Sequence, residues 1–234
     1  MEIFGCASQP IKDQAPLKLR PVSTDSLEKS REFTEAQRTW IAQQGFRGEL
    51  GKLCVLPSPT GSIDQVLFGW NAHATLWDFA KVVQALPINH YRIHMDKVLT
   101  CGLFDLAKVW GLSCYEFTRY RSSQRSHPTL VVDELPKKEL FMLNQVLNGS
   151  YQIRDWINTP AEDFGPLDMS DLCHAMAHRY QATISEVVGD DLLKENYPLI
   201  HLVGRASSRA PRMICLRWGN PTDPLIALVG KGVC

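Results

Sequence analysis

Short apolar runs of strand length alternate with stretches of helical periodicity through the first 135 residues. Strands are predicted at residues 52–56, 65–70, 91–95 and 129–132, with strand-like fragments before residue 24. Helices are predicted between them, where apolar residues recur every three or four positions, at residues 26–44, 75–86 and 104–120. This alternation predicts an α/β domain in which helices cover a mostly parallel sheet.

A second α/β region is predicted after Pro136. A long amphipathic helix over residues 137–158 ends at Thr159-Pro160. The predicted elements that follow are a helix at 168–180, a strand at 182–188, a short helix at 189–196, an apolar turn at 199–204, and strands at 213–218 and 225–229. We therefore expect an N-terminal α/β domain, a connecting helix and a second α/β sheet, over residues 1–135, 136–159 and 160–234.

The second sheet looks unfinished. Its last predicted strand, residues 225–229, runs directly into the final residues, although a complete domain rarely ends on the loop that leaves a central strand. We expect this chain to be the truncated front part of a longer protein.

Charge and hydropathy exclude several classes of protein. Lys and Arg together number 25, as do Asp and Glu together. The chain therefore lacks the excess of basic residues that is typical of nucleic-acid-binding proteins. No apolar run approaches the roughly 20 residues of a membrane span, and the N-terminus lacks the features of a signal peptide. The seven cysteines contain no C-x-x-C pair, and we expect reduced thiols in a cytoplasmic protein.

Lys231 is the first candidate for chemistry, because it follows a predicted central strand and is flanked by Gly230 and Gly232. Ligand sites in open α/β sheets lie at the carboxyl ends of strands. A lysine amine binds a metal ion only when it is neutral, which requires desolvation or a nearby cation. The alternative is a solvated lysine in a glycine turn.

Three further patterns have both a functional and a structural interpretation. His174 and His178 share a helical face that could hold a metal, although no H-E-x-x-H motif is present. The other two are a ligand loop at residues 158–163 and an anion-binding loop at residues 204–212. The structural interpretations are an exposed helix face, a helix end and a polar loop, respectively, and we favour these.

Three segments occur in an order that resembles the leucyl aminopeptidase (cytosol aminopeptidase) family. They are DWINTPAEDFGPLDMSDL, VGRASSRAPRMICLRW and LIALVGKGVC, and the resemblance covers residues 154–234. KVWGLSCYEFTRYR in the first domain is also similar to a family helix. In the family, the lysine of the LVGKG segment is a ligand of a dinuclear metal site, and it corresponds to Lys231.

The resemblance implies a metal-dependent aminopeptidase that releases N-terminal amino acids, with leucine-type preference, from peptide substrates. It also implies two divalent metal ions (Mn or Zn), a homo-hexamer and a macro-domain-like N-terminal domain. The family pattern continues with Phe-Asp-Ser/Thr-Gly-Gly, so we expect the catalytic residues downstream of Cys234 and none in this chain. The fragment alone is then expected to hold no metal and to be inactive. The alternative is a non-enzymatic α/β module that binds a nucleotide or a protein partner.

Overall fold

The computed structural model describes residues 2–7, 15–122 and 126–232. Contacts between residues divide the chain into two compact units, Met1–Arg154 and Asp155–Cys234. The division into domains at residues 1–135, 136–159 and 160–234 stays a prediction. Within the described ranges, no helix combines the length and hydropathy that crossing a membrane requires.

The first unit is built on a mostly parallel sheet, which confirms the predicted α/β class. Its described strands are β1 Glu2–Ile3, β2 Cys6–Ala7, β3 Leu17–Val22, β4 Leu53–Pro57, β5 Ile63–Gly69, β6 His90–Ile93 and β7 Thr129–Val131. They lie in the order β1-β2-β7-β6-β3-β5-β4. The four central pairs, β2–β7, β7–β6, β6–β3 and β3–β5, are parallel. The edge strands β1 and β4 pair antiparallel with their neighbours.

Helices cover both faces of this sheet. They are α1 Thr24–Lys29, α2 Glu35–Gln43, α3 Leu76–Ala85, α4 Leu103–Ser113 and α5 Lys137–Asn158. Val66 and Phe68 pack into the main apolar cluster with residues of α3, α4 and α5, whereas Leu67 packs into a smaller cluster with Ile41 of α2. Because successive side chains of a strand point to opposite faces, the two clusters lie on opposite sides of the sheet.

The helix predicted over residues 26–44 is wrong in its continuity, since two helices occupy this stretch. Ser23 caps α1 and Thr34 caps α2, each through a reciprocal capping box. A hydroxyl that accepts a hydrogen bond from a first-turn backbone amide stabilises a helix start, so Thr34 begins a new helix there.

The helix predicted over residues 104–120 ends earlier, at Ser113. Its last-turn carbonyls accept hydrogen bonds from α5: the Tyr151 hydroxyl donates to Gly111 O at 2.7 Å, and Arg154 Nη1 donates to Leu112 O at 2.7 Å. Side chains of α5 thus donate hydrogen bonds to carbonyls that, in a longer helix, would accept them from the backbone N–H groups of the next turn.

At Gly111, helix α4 packs closely against Leu147 of α5. A Cβ atom built on Gly111 would lie 2.4 Å from Leu147 Cδ1, and Leu147 is fully buried. We expect Gly111→Ala to lower the free energy of unfolding by about 1–3 kcal/mol through overpacking. Gly149 lies in α5, and a methyl group added there would meet nothing within 4 Å. Gly149→Ala should therefore raise the free energy of unfolding by about 0.5–1 kcal/mol. Urea denaturation of both variants checks this, and equal effects would refute the close packing of α4 on α5.

The second unit has a small antiparallel sheet. Its elements after α5 are α6 Pro166–Tyr180, β8 Thr183–Val188, α7 Asp191–Lys194, α8 Pro198–Gly204 and β9 Arg212–Arg217. β8 and β9 pair antiparallel from Thr183↔Arg217 to Val188↔Arg212. The apolar turn predicted at residues 199–204 is helix α8, which begins at Pro198, a favoured residue in the first turn of a helix.

The strand predicted at residues 225–229 is absent from the described structure. Leu225, Ile226, Leu228 and Val229 are 92%, 82%, 94% and 96% exposed, and no strand pairs with this segment among the described residues. A strand is stable only where a neighbour completes its hydrogen-bond ladder and covers its apolar face. The strand prediction is therefore wrong for the described structure, because no described element pairs with this apolar segment or covers it.

Candidate functional site

Lys231 lies at the end of the exposed apolar segment, residues 225–229. Its side chain and both flanking glycines are exposed, and a Cβ atom at Gly230 or Gly232 would meet nothing within 4 Å. No cluster of three or more His, Cys, Asp and Glu side chains suitable for a metal occurs in the described part of the chain. The structure therefore leaves the predicted ligand role of Lys231 untested.

The two histidines of α6 have different surroundings. His174 Nε2 lies 3.6 Å from Glu186 Oε2 of β8. His178 is exposed, and no ion pair or hydrogen bond of its side chain is seen among the described residues. The first histidine thus takes part in packing α6 on the sheet, which supports the structural interpretation of this motif.

Glu186 is the centre of a polar cluster that sequence analysis missed. Its Oε1 atom accepts a hydrogen bond from Arg212 Nη1 at 2.7 Å, and both side chains are only 17% exposed. Burial raises the pKa of Glu186, but hydrogen bonds from Arg212 and Ser170 outweigh burial and hold the pKa below its usual value. In the sequence, Glu186 lies in the predicted strand at 182–188, and Arg212 directly precedes the predicted strand at 213–218.

This cluster is suited to holding the unit together rather than to acid–base chemistry. A carboxylate that accepts hydrogen bonds from Arg212 and Ser170 stays ionised at neutral pH. Burial and the negative charge of Glu186 also raise the pKa of Cys173, which keeps that thiol protonated and a weak nucleophile.

The loop at residues 158–163 is tied to the loop at residues 204–212 by Arg209. Its guanidinium donates to the carbonyl oxygens of Ala161 and Glu162. Arg209 also packs so close to Gly165 that a Cβ atom there would lie 2.6 Å from Nη1. The Arg209 guanidinium, a candidate anion ligand in the predicted loop, is instead hydrogen-bonded to the backbone that leads into α6.

Aromatic stacking stabilises the same entry. The rings of Trp156 and Phe164 are stacked with 6.2 Å between centroids and 12° between planes. At the end of α5, the Thr159 hydroxyl donates to Asp155 O at 2.7 Å, and Thr159 is buried. This segment therefore serves as a helix end and domain entry, as the structural interpretation held.

Comparison with protein families accounts for both units. A model described as the N-terminal domain of M17 aminopeptidases matches residues 16–133, and a model described as the catalytic domain of the cytosol aminopeptidase family matches residues 151–234. The chain belongs to the M17 aminopeptidase family. This membership favours the enzymatic interpretation over the non-enzymatic binding module.

Individual relatives agree with the M17 assignment. Peptidase B of Yersinia pestis (strain Pestoides F) is 37% identical over 134 residues, which cover 53% of this chain and 31% of that protein. Peptidase B of Yersinia pseudotuberculosis serotype O:1b (strain IP 31758) matches with the same identity and coverage. The matched part of the chain thus spans about a third of the length of these curated relatives.

Solved structures show the same M17 fold. The cytosol aminopeptidase of Coxiella burnetii is 28% identical and superposes with a TM-score of 0.81 over 95% of this chain and 48% of that one. The bottromycin maturation enzyme BotP, in complex with Mn, superposes with a TM-score of 0.66 at 20% identity, over 89% of this chain and 46% of that one. At that identity BotP supports the fold alone.

Proposed function

We propose that this sequence is the front part of a metal-dependent aminopeptidase that releases N-terminal amino acids, with leucine-type preference, from peptides. The observation that carries the proposal is the order of the two family matches, N-terminal domain and then catalytic domain, along one chain. The LVGKG segment at residues 228–232 lies inside the second match.

The metal site of this enzyme would use Lys231 as one ligand of two divalent ions, Mn or Zn. A neutral amine has a lone pair to donate, and adjacent dications favour the neutral form. BotP, one of the structural neighbours, was solved in complex with Mn. One lysine does not fit a metal pair by itself, and the described residues contain no carboxylate or imidazole cluster to accompany it. We therefore assign the remaining ligands and the catalytic residues to later segments of a longer chain.

The setting of the enzyme follows from the same proposal. We expect peptides as substrates, a homo-hexamer as the assembly of the full-length protein and the cytoplasm as its location. The equal numbers of acidic and basic residues give no support to nucleic acid as a partner.

Activity of an extended protein tests the proposal. The reading frame continued beyond Cys234 should encode Phe-Asp-Ser/Thr-Gly-Gly, and the extended protein should hydrolyse leucine amide. We expect chelation to abolish that activity and added Mn²⁺ to restore it, because a divalent ion activates water and polarises the carbonyl in such enzymes. The 234-residue chain, assayed in parallel with Mn²⁺ or Zn²⁺, should show no turnover.

Two results would contradict this assignment. Peptidase activity of the extended protein that survives chelation would remove the metal from the proposal. Chelator-sensitive turnover that copurifies with the 234-residue chain would show that the catalytic groups lie within it.

A further inference from the structure

An open cleft lies between α1, α2 and the turn that follows α2, in the first unit. Its volume is about 570 Å³. Phe33, Ile41 and Phe46 line it, and each is at most 5% exposed because it belongs to the smaller apolar cluster. The volume is that of a small-molecule site, and the lining combines apolar side chains with charged ones.

Charged groups of both signs line the same cleft. Glu28 comes from α1, Arg38 from α2 and Arg47 from the turn after α2. Arg38 donates to the carbonyl of Ser30. Over the ranges that the structure describes, neither the Glu28 carboxylate nor the Arg47 guanidinium has a hydrogen bond or ion pair with another side chain. The cleft therefore combines an apolar floor with two exposed charges of opposite sign, Glu28 and Arg47, that have no side-chain partner among the described residues.

We propose that this cleft binds a free α-amino acid with an apolar side chain, such as leucine. The ligand carboxylate would pair with Arg47, the ligand ammonium with Glu28, and the aliphatic side chain would cover Phe33, Ile41 and Phe46. Charge-assisted hydrogen bonds are stronger than neutral ones, and burying the side chain adds the hydrophobic contribution.

A zwitterion fits the cleft better than a nucleotide does. The guanidinium of Arg20 already lies over the Phe33 ring, 5.1 Å from its centroid, so that face is not available for stacking a base. Glu28 would also repel a phosphate group, whereas it attracts an ammonium.

The regulatory meaning of this site rests on the proposed function, because apolar amino acids are the products that a leucine-type aminopeptidase releases. Helix α1 has no buried residue, so it is the wall of the cleft that can adjust to a ligand. Occupancy by product would then stabilise α1 and make the first unit a sensor of free amino acids.

Calorimetric titration of the 234-residue chain with L-leucine tests the site without any catalysis. We expect saturable binding and slower hydrogen exchange in α1. L-Leucinamide lacks the carboxylate and 4-methylpentanoate lacks the ammonium, so each should bind about tenfold more weakly or worse. Glycine should bind at least as weakly, because it lacks the apolar side chain.

Substitutions locate the binding. Arg47→Ala and Glu28→Gln should each weaken leucine binding about tenfold. Ala42→Trp, on the exposed wall of the cleft, should block it without disturbing the core. Arg31→Ala is the matched control, since Arg31 is exposed and does not line the cleft.

Three outcomes would overturn the site: no saturable binding up to about 10 mM leucine, equal affinity for leucine and leucinamide, or unchanged affinity in the Arg47 and Glu28 variants. Failure of the proposed function has a different signature. If leucine binds as expected but the extended protein has no peptidase activity, the binding site stands and the proposed enzymatic function falls.

Discussion

Replacing Lys231 with alanine in the proposed full-length aminopeptidase is expected to lower kcat/KM by about 100-fold or more and to reduce metal content. The amine would be lost from the ligand set, and alanine has no donor to replace it. Lys231→Arg should not restore activity, because a guanidinium stays protonated in proteins and would repel the dication. Metal analysis and kinetics on the wild-type and variant proteins, prepared side by side, provide the measurement.

A surface lysine of the same unit provides the control for Lys231. Lys194 is exposed and pairs with Asp191 at 2.6 Å on the short helix α7. Lys194→Ala should leave activity and metal content unchanged. If Lys231→Ala retains full metal and full activity, Lys231 is not a ligand and the position of the metal site has to be reconsidered.

Removing Glu186 is expected to destabilise the second unit by about 3 kcal/mol. Glu186→Ala leaves the guanidinium of Arg212 largely buried without its carboxylate, and both side chains are only 17% exposed in the intact pair. Hydrogen exchange followed by mass spectrometry should show faster exchange of the β8 and β9 amides. Glu195→Ala, at an exposed position after α7, is the matched control and should change the opening free energy by less than about 0.5 kcal/mol.

The same pair makes the stability of the second unit depend on pH. The pKa of Glu186 is lower in the folded state than its usual value near 4.3. A depressed folded-state pKa contributes stability that is present above the unfolded-state pKa and is lost as the pH falls through the folded-state pKa. We expect β8 and β9 to open increasingly below about pH 4 in the wild type. Opening that is equally acid-sensitive in Glu186→Ala would exclude Glu186 as its cause.

Helices in which apolar residues recur regularly were predictable from the sequence, because this spacing determines which face of the helix is buried. Helix α5 occupies residues 137–158 as predicted, and α3, Leu76–Ala85, lies within the predicted range 75–86. Strand β3 was seen only as fragments because Pro21 argues against a central strand. In the structure, the pairing of β3 with β6 ends at Leu19, so Pro21 lacks a ladder neighbour on that side and is tolerated.

The candidate sites were predictable only where their pattern is local. Lys231 stands out as a candidate because its glycines and the predicted strand before it are contiguous in sequence. The Glu186–Arg212 pair joins residues 26 positions apart, and the cleft between α1 and α2 depends on a helix break at Ser30 that the spacing of apolar residues did not reveal. Contacts of this kind are decided by the register of strands and by capping, which periodicity does not encode.

The exposed segment at residues 225–229 has a consequence for the solubility of the chain. A short, uncharged, β-prone stretch open to solvent is a template for intermolecular strand pairing, and natural sequences flank such stretches with gatekeeper residues. Pro224 and Lys231 occupy the flanks here. Whenever the segment is uncovered, as during synthesis on the ribosome, the positive charge of Lys231 opposes aggregation, so one amine serves both colloidal stability and the proposed chemistry.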